Sequence, residues 1–185
     1  SKFLKTNIER LGFTVTELDH NKRTHLKNGV HINILAADNC NPELCAQFFG
    51  CGLVESKYGS TQIDSLCVID DEENYVLNTN DCPYALARFP LELVKQQYPK
   101  IDLLMVGYAG AGPFPQCFAL SDEEKQKAAE AKKKQFLESG IKFIEDIKPS
   151  YVLPFAGTYV LGGKLAQLQH FRGVPEIGDA AAYFK

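Results

Sequence analysis

No segment of this 185-residue chain approaches the roughly 20 continuous apolar residues needed to cross a bilayer, which excludes a helical membrane span. The first residues, Ser1-Lys2-Phe3-Leu4-Lys5, also lack the apolar core of a secretory signal, and the expectation is a soluble, cytoplasmic protein. A basic block is missing as well. Lys and Arg number 20 against 23 Asp and Glu, for a net charge of -3. The longest basic run, Lys132-Lys133-Lys134, lies among Glu and Ala and reads as the solvated face of a helix. Tracking a phosphate backbone takes clustered Lys and Arg, so nucleic acid is not an expected partner. Cysteines stand at positions 40, 45, 51, 67, 82 and 117, but no pair has the two-residue gap of a zinc knuckle and no His follows at ligand distance. A chain of this length buries enough core to do without disulfide staples, and reduced thiols are expected.

What is present is a run of strand patterns followed by helices. Phe13-Thr14-Val15-Thr16-Glu17-Leu18, β-branched and nearly alternating, predicts a strand that ends in a turn at Asp19–Lys22. Val30–Leu35 alternates cleanly and predicts a second, with small and polar residues from Ala36 to Asn39 marking its end. Asn41-Pro42-Glu43-Leu44 predicts the opening of a short helix that Gly50-Cys51-Gly52 would stop, followed by an irregular stretch from Cys51 to Thr61. Ile63–Ile69 and Tyr75–Leu77 form a hairpin through Asp70–Asn74, a solvated acidic tip without the oxygen spacing of a calcium loop.

Pro90–Tyr98 has helical spacing at Leu91, Val94 and Tyr98, with Pro at the start, where its missing donor is harmless. The unbroken apolar run Ile101–Val106 predicts a strand covered on both faces. The clearest helix spans Ser121 to Lys148. It has a capping-box pattern at Ser121 and Glu124, an inward face at Leu137, Ile141 and Ile144, and Pro149 as a stop. Tyr151–Phe155 returns as a strand. Strand, loop, long helix and strand from Lys100 to Phe155 imply parallel pairing with a right-handed crossover. No repeat or linker divides the chain, which reads as one domain over residues 1–185.

In layered α/β proteins chemistry sits on the loops that leave the strands. Three such loops stand out. The first follows Val76-Leu77-Asn78-Thr79-Asn80, where a strand runs directly into Asp81. Asp81 is a candidate metal ligand or general acid or base, because low dielectric at the end of a buried strand strengthens its interaction with a cation. An Asp capping a turn, with Pro83 two positions on, fits the same spacing equally well. The second loop, Tyr108–Pro115, is glycine-rich but lacks the Lys-Ser/Thr ending of a nucleotide loop. Its small residues allow close backbone approach to a neighbouring loop or ligand, and Tyr108 supplies a hydroxyl. The third is Phe155–Tyr159, whose side chains are poor ligands. His20, His25, His31 and His170 have no metal-motif spacing, and no Gly-x-Ser-x-Gly elbow is present.

Asn78-Thr79-Asn80-Asp81-Cys82, Leu103-Leu104-Met105 leading to Tyr108-Ala109-Gly110 and Phe114-Pro115, the long helix, and Pro154-Phe155-Ala156-Gly157 together resemble a known family. They are similar in order and spacing to the second half of the metallo-β-lactamase-like domain of CMP-N-acetylneuraminate hydroxylases and related bacterial proteins, over roughly Gly29 to Val160. The resemblance implies an α/β fold that forms the second half of an αββα sandwich, a mixed sheet with flanking helices and metal at the sheet edge. It maps Asp81 onto a bridging aspartate. It further implies metal-dependent hydrolysis of an ester, lactone or phosphodiester with zinc, or else iron or manganese. In that picture Asp81 and Tyr108 act in catalysis, and Tyr108, Gly110, Gly112, Phe155 and Gly157 line the pocket of a small-molecule substrate.

The chain also departs from the family. The His-x-His-x-Asp-His motif is absent, Asn41-Pro42-Glu43 stands where the hydroxylases have a His-Pro-Glu-like segment, and Gly107 replaces an aspartate. There is no Rieske Cys-x-His pair, so hydroxylation by this chain is not expected. Two readings follow: a hydrolase whose histidines come from another segment, or a non-catalytic binding or interaction domain with a decayed metal site. Half a sandwich leaves a sheet face open, which implies a partner polypeptide or self-association.

Overall fold

Alternating side chains send successive residues of a strand to opposite faces, and six strands build a single sheet. The computed structural model describes residues 2–37 and 64–185, so the short helix expected from Asn41 and the irregular stretch after it lie outside the described residues. The strands are β1 (Thr24–Lys27), β2 (Val30–Ala36), β3 (Ser65–Asp70), β4 (Tyr75–Asn78), β5 (Leu103–Gly107) and β6 (Tyr151–Phe155), arranged in space in chain order. The first four form an antiparallel meander, with His31 opposite Asp70 and Cys67 opposite Asn78. β4, β5 and β6 are parallel, with Val76, Leu103 and Tyr151 in one row. Helix α1 (Lys2–Arg10) precedes the sheet, α2 (Tyr84–Gln97) joins β4 to β5, and α3 (Asp122–Ile147) joins β5 to β6. A 3-10 helix (Gly163–Phe171) and α4 (Ile177–Tyr183) follow. The mixed sheet with flanking helices expected from the sequence is the architecture observed.

Right-handed crossovers that step the same way across a sheet lie on the same face. Accordingly α2 and α3 pack side by side. The Tyr84 ring stands edge-on to Phe143 with centroids 5.1 Å apart, and Lys95 Nζ pairs with Asp146 at 2.7 Å. Beneath them lie Leu35, Leu66, Val68, Leu77, Leu104 and Val106, met by Ala87, Leu91, Val94 and Phe143. Each such Leu or Val contributes about 1.5–3 kcal/mol by leaving water.

The opposite face is also apolar but less covered. Ile69, Leu153 and Tyr151 on it are 38%, 44% and 72% exposed. The expectation that Ile101–Val106 is covered on both faces is therefore corrected: Leu104 and Val106 are buried, whereas Leu103 and Met105 are half-buried, because both crossovers occupy one side.

Local patterns are overridden elsewhere. Phe13–Leu18 forms no strand, because β1 occupies the edge of β2, and His20 makes only an isolated bridge to Ile34. α2 begins at Tyr84, and Pro90 lies in its interior. The proline forfeits one helix bond, but a continuous buried stripe of Ala87, Pro90, Leu91 and Val94 carries the helix through it.

α3 has the capping box that its sequence predicts. Ser121 N donates to the Glu124 carboxylate at 2.8 Å, Glu124 N donates to Ser121 Oγ at 3.3 Å, and the helix ends at Lys148 in a left-handed conformation. Its deepest residues are Ala129, Gly140 and Phe143, with Leu137, Ile141 and Ile144 only partly buried beside them.

The acidic turn is not wholly a solvated tip. Asp70 is buried and accepts from Arg23 Nε at 3.0 Å and Arg23 Nη2 at 2.5 Å, whereas Asp71–Asn74 is exposed. Cys67, Cys82 and Cys117 carry no disulfide, and no helix among the described residues is long and apolar enough to cross a membrane.

Candidate functional site

Because β4, β5 and β6 are adjacent and parallel, their C-terminal ends at Asn78, Gly107 and Phe155 open on one edge of the sheet. The turn after β4 is held by two asparagines. Asn78 Oδ1 accepts from Asn80 N at 2.8 Å, and Asn80, in a left-handed conformation with φ 48°, donates Nδ2 to Ser65 O at 3.2 Å. Cys82 N donates to Thr79 O at 3.1 Å, and Thr79 N reaches Met105 O at 3.0 Å on β5. Asn78 thus does the capping that the sequence allowed for Asp81. The Asp81 carboxylate takes no hydrogen bond among the described residues and is exposed rather than set in low dielectric.

Antiparallel register brings a second carboxylate to this point. Cys67 pairs with Asn78 at the end of the ladder; Asp64 lies three residues before the one and Asp81 three residues after the other, near enough for their charges to interact. Asp64 is 7% exposed. Burial pushes its carboxyl above the usual range, and the charge of Asp81 adds to the rise. Sequence reasoning missed Asp64. Its signal was the same hairpin: Asp64 lies as many residues before Cys67 as Asp81 lies after Asn78, the ladder partner of Cys67.

Two carboxylates supply part of the shell of a divalent ion, which takes four or more ligands. No group of three or more His, Cys, Asp or Glu stands together among the described residues. These residues therefore do not by themselves complete a metal site.

Asp81 opens onto a cleft of about 740 Å³, bounded by the turn from Thr79 to Pro83, the loop from Ala109 to Gly112, Phe114, Ala156, and the α3 side chains Lys132, Gln135, Phe136, Ser139 and Phe143. That volume lies within the range of about 300–1,000 Å³ typical of small-molecule sites. Of the residues singled out in the sequence, Asp81, Gly110 and Gly112 line this cleft together. Tyr108, Phe155 and Gly157 do not line it. Tyr108 is 2% exposed. Its ring lies over Gly157, where an added Cβ would fall 2.3 Å from the nearest ring carbon. Burial, and secondarily the charge of Glu176, push its hydroxyl pKa up. Its packing supports the floor beneath the loop, and the open cleft lies elsewhere.

The glycine loop is braced from behind. Gln116 Nε2 donates to Gly112 O at 2.5 Å and to Tyr159 Oη at 3.0 Å, and the Arg172 guanidinium sits over the Tyr159 ring at 5.6 Å. Sequence reasoning also missed the α3 wall. Lys132, read there as part of a solvated face, is half-buried in the cleft, one helical turn from Phe136.

No family model matches this chain, and no curated protein does. Among solved structures, a mutant of CmlA beta-hydroxylase is similar in chain path, with a TM-score of 0.46 and 13% sequence identity. The match covers 80% of this chain and 27% of that one, so the chain spans about a quarter of the length of the structure it matches. At this similarity the match assigns neither family nor activity.

Proposed function

We propose that this chain supplies the substrate-binding half of a metal-dependent hydrolase built on the metallo-β-lactamase plan, acting on a small ester, lactone or phosphodiester. One observation carries the reading: Asp81, which accepts no hydrogen bond among the described residues, lines a cleft of small-molecule size and lies near enough to Asp64 for the two charges to interact. Two neighbouring carboxylates repel, and a cation bound by both relieves the repulsion. In this reading Asp81 is a metal ligand, for zinc, iron or manganese. Gly110 and Gly112 line the substrate cleft, and the Tyr108 ring packed over Gly157 holds the loop ends in position. The remaining ligands come from a histidine-bearing polypeptide that packs on the half-covered apolar face, where Tyr151, Leu153 and Ile69 are exposed.

Metal analysis of the protein isolated with whatever polypeptide accompanies it tests the assignment. Stoichiometric metal that disappears in a folded Asp81→Ala variant supports it, and unchanged metal content overturns the role of Asp81. A second reading, a binding domain without catalysis, is favoured by the absence of a three-ligand group among the described residues. Metal-free isolates of both proteins would select that reading.

A further inference from the structure

Lys132 is placed differently from its neighbours Lys133 and Lys134 on α3. Lys133 and Lys134 pair with Glu130 and Glu138 on the same helix, at 2.8 and 3.6 Å, as exposed lysines commonly do. Lys132 has no carboxylate partner among the described residues. Its ammonium donates once, to Phe114 O at 2.8 Å, and lies 5.7 Å from the centroid of the Phe136 ring. An ammonium carries three donors, so two remain beyond the bond to Phe114 O.

The stem is not free to swing away. Its Cβ and Cδ lie against buried Gly173, so close that a Cβ added there would fall 2.9 and 2.7 Å from them. The tip reaches the glycine loop, where an added Cβ on Gly112 would stand 3.8 Å from Nζ. Burial holds its pKa below the usual lysine range, with no neighbouring carboxylate raising it again. The Asp81 charge, at the other wall of the same cleft, is thus not spent on it. A partly desolvated cation fixed by its stem, with open donors and an aromatic ring beside it, is a receptor for an anionic group next to an apolar body.

We propose that Lys132 holds the oxyanion of a ligand, a carboxylate or phosphate, in this cleft, with the apolar part of the ligand lying along Phe136 and the Gly110–Gly112 backbone. The inference deepens the reading of the cleft as a substrate site, because it states the class of substrate: one that carries a negative group apart from the atoms near Asp81.

The test is a titration of the ¹⁵N-labelled chain followed through the Lys132 ammonium and Gly112 amide signals, without added metal. The probes are 3-phenylpropionate, its neutral amide, and inorganic phosphate. The expected result is saturable shifts with the carboxylate or with phosphate, at least about tenfold weaker binding of the amide, and a comparable loss in Lys132→Met, which keeps the stem. Lys132→Arg, which keeps the charge, is expected to retain binding. The tighter of the two anions identifies the oxyanion. Equal binding of acid and amide, or unchanged anion binding in a folded Lys132→Met protein, would overturn the proposal. Because no metal enters this measurement, its failure is separate from failure of the hydrolase reading, which rests on Asp81.

Discussion

Asp64 and Asp81 lie three residues beyond the last pair of the β3–β4 ladder, Cys67 and Asn78, one buried and the other exposed. The exposed partner contributes to the raised pKa of the buried one. Replacing Asp81 by Asn is therefore expected to move the Asp64 titration midpoint down toward the ordinary carboxylate value, leaving only the part due to burial. Carboxyl ¹³C spectra across the acid range read this directly. A midpoint unmoved by the substitution would mean that the two groups stand too far apart to act together.

Gly157 gives the Tyr108 ring its place. A Cβ at this position would lie 2.3 to 2.5 Å from three ring carbons, so Gly157→Ala forces the ring or the β6 loop to move. Overpacking of this kind costs about 1–3 kcal/mol. Urea unfolding should show a lower midpoint with an unchanged slope, and the Gly112 amide signal should shift because Tyr108 and Gly112 belong to the same loop after β5.

The Arg23 and Asp70 pair sets an acid limit on stability. The guanidinium hydrogen bonds hold the Asp70 carboxyl below its ordinary value, against the opposing effect of burial. A carboxyl depressed in the folded state stabilises the fold at pH above its unfolded value, and that contribution is lost as pH falls through the folded value. Stability is therefore expected to decline below the ordinary Asp range, and to decline less steeply in Asp70→Asn. Arg23→Met leaves a buried carboxylate without its main partner and, because Arg23 itself is partly exposed, is expected to cost about 1–3 kcal/mol at neutral pH. Denaturant unfolding at a series of pH values checks both.

Ser121 and Glu124 close the first turn of α3 reciprocally. Ser121→Ala removes one acceptor from that turn and is expected to lower stability by about 1 kcal/mol. The loss should appear as faster amide exchange at the start of the helix, with cleft residues such as Phe136 unaffected.

The parts of the fold legible in the sequence are those whose signals are local. Both ends of α3 are marked by residues beside them, a capping box before Asp122 and a proline after Lys148. The β3–β4 hairpin is marked by alternation around an acidic turn. Phe13–Leu18 has the composition of a strand, but pairing decides whether a strand exists, and the neighbouring edge is taken by Thr24–Lys27. Pro90 reads locally as a helix start, yet the buried stripe running through it comes from packing against the sheet. The site divides in the same way. Asp81 and the glycine loop are visible as strand ends, whereas Asp64 emerges only from register and Lys132 only from the way α3 lies across the loop.

The direct measurement of the account is paramagnetic broadening by Mn²⁺ added in small amounts to the ¹⁵N-labelled chain. Even weak occupancy reports position, because the effect is strongest beside the ion. The account predicts that Asp64, Asn80 and Asp81 broaden first and that Asp81→Asn abolishes this. Broadening confined to another acidic stretch, such as Asp71–Glu73, or left unchanged by that substitution, would contradict it.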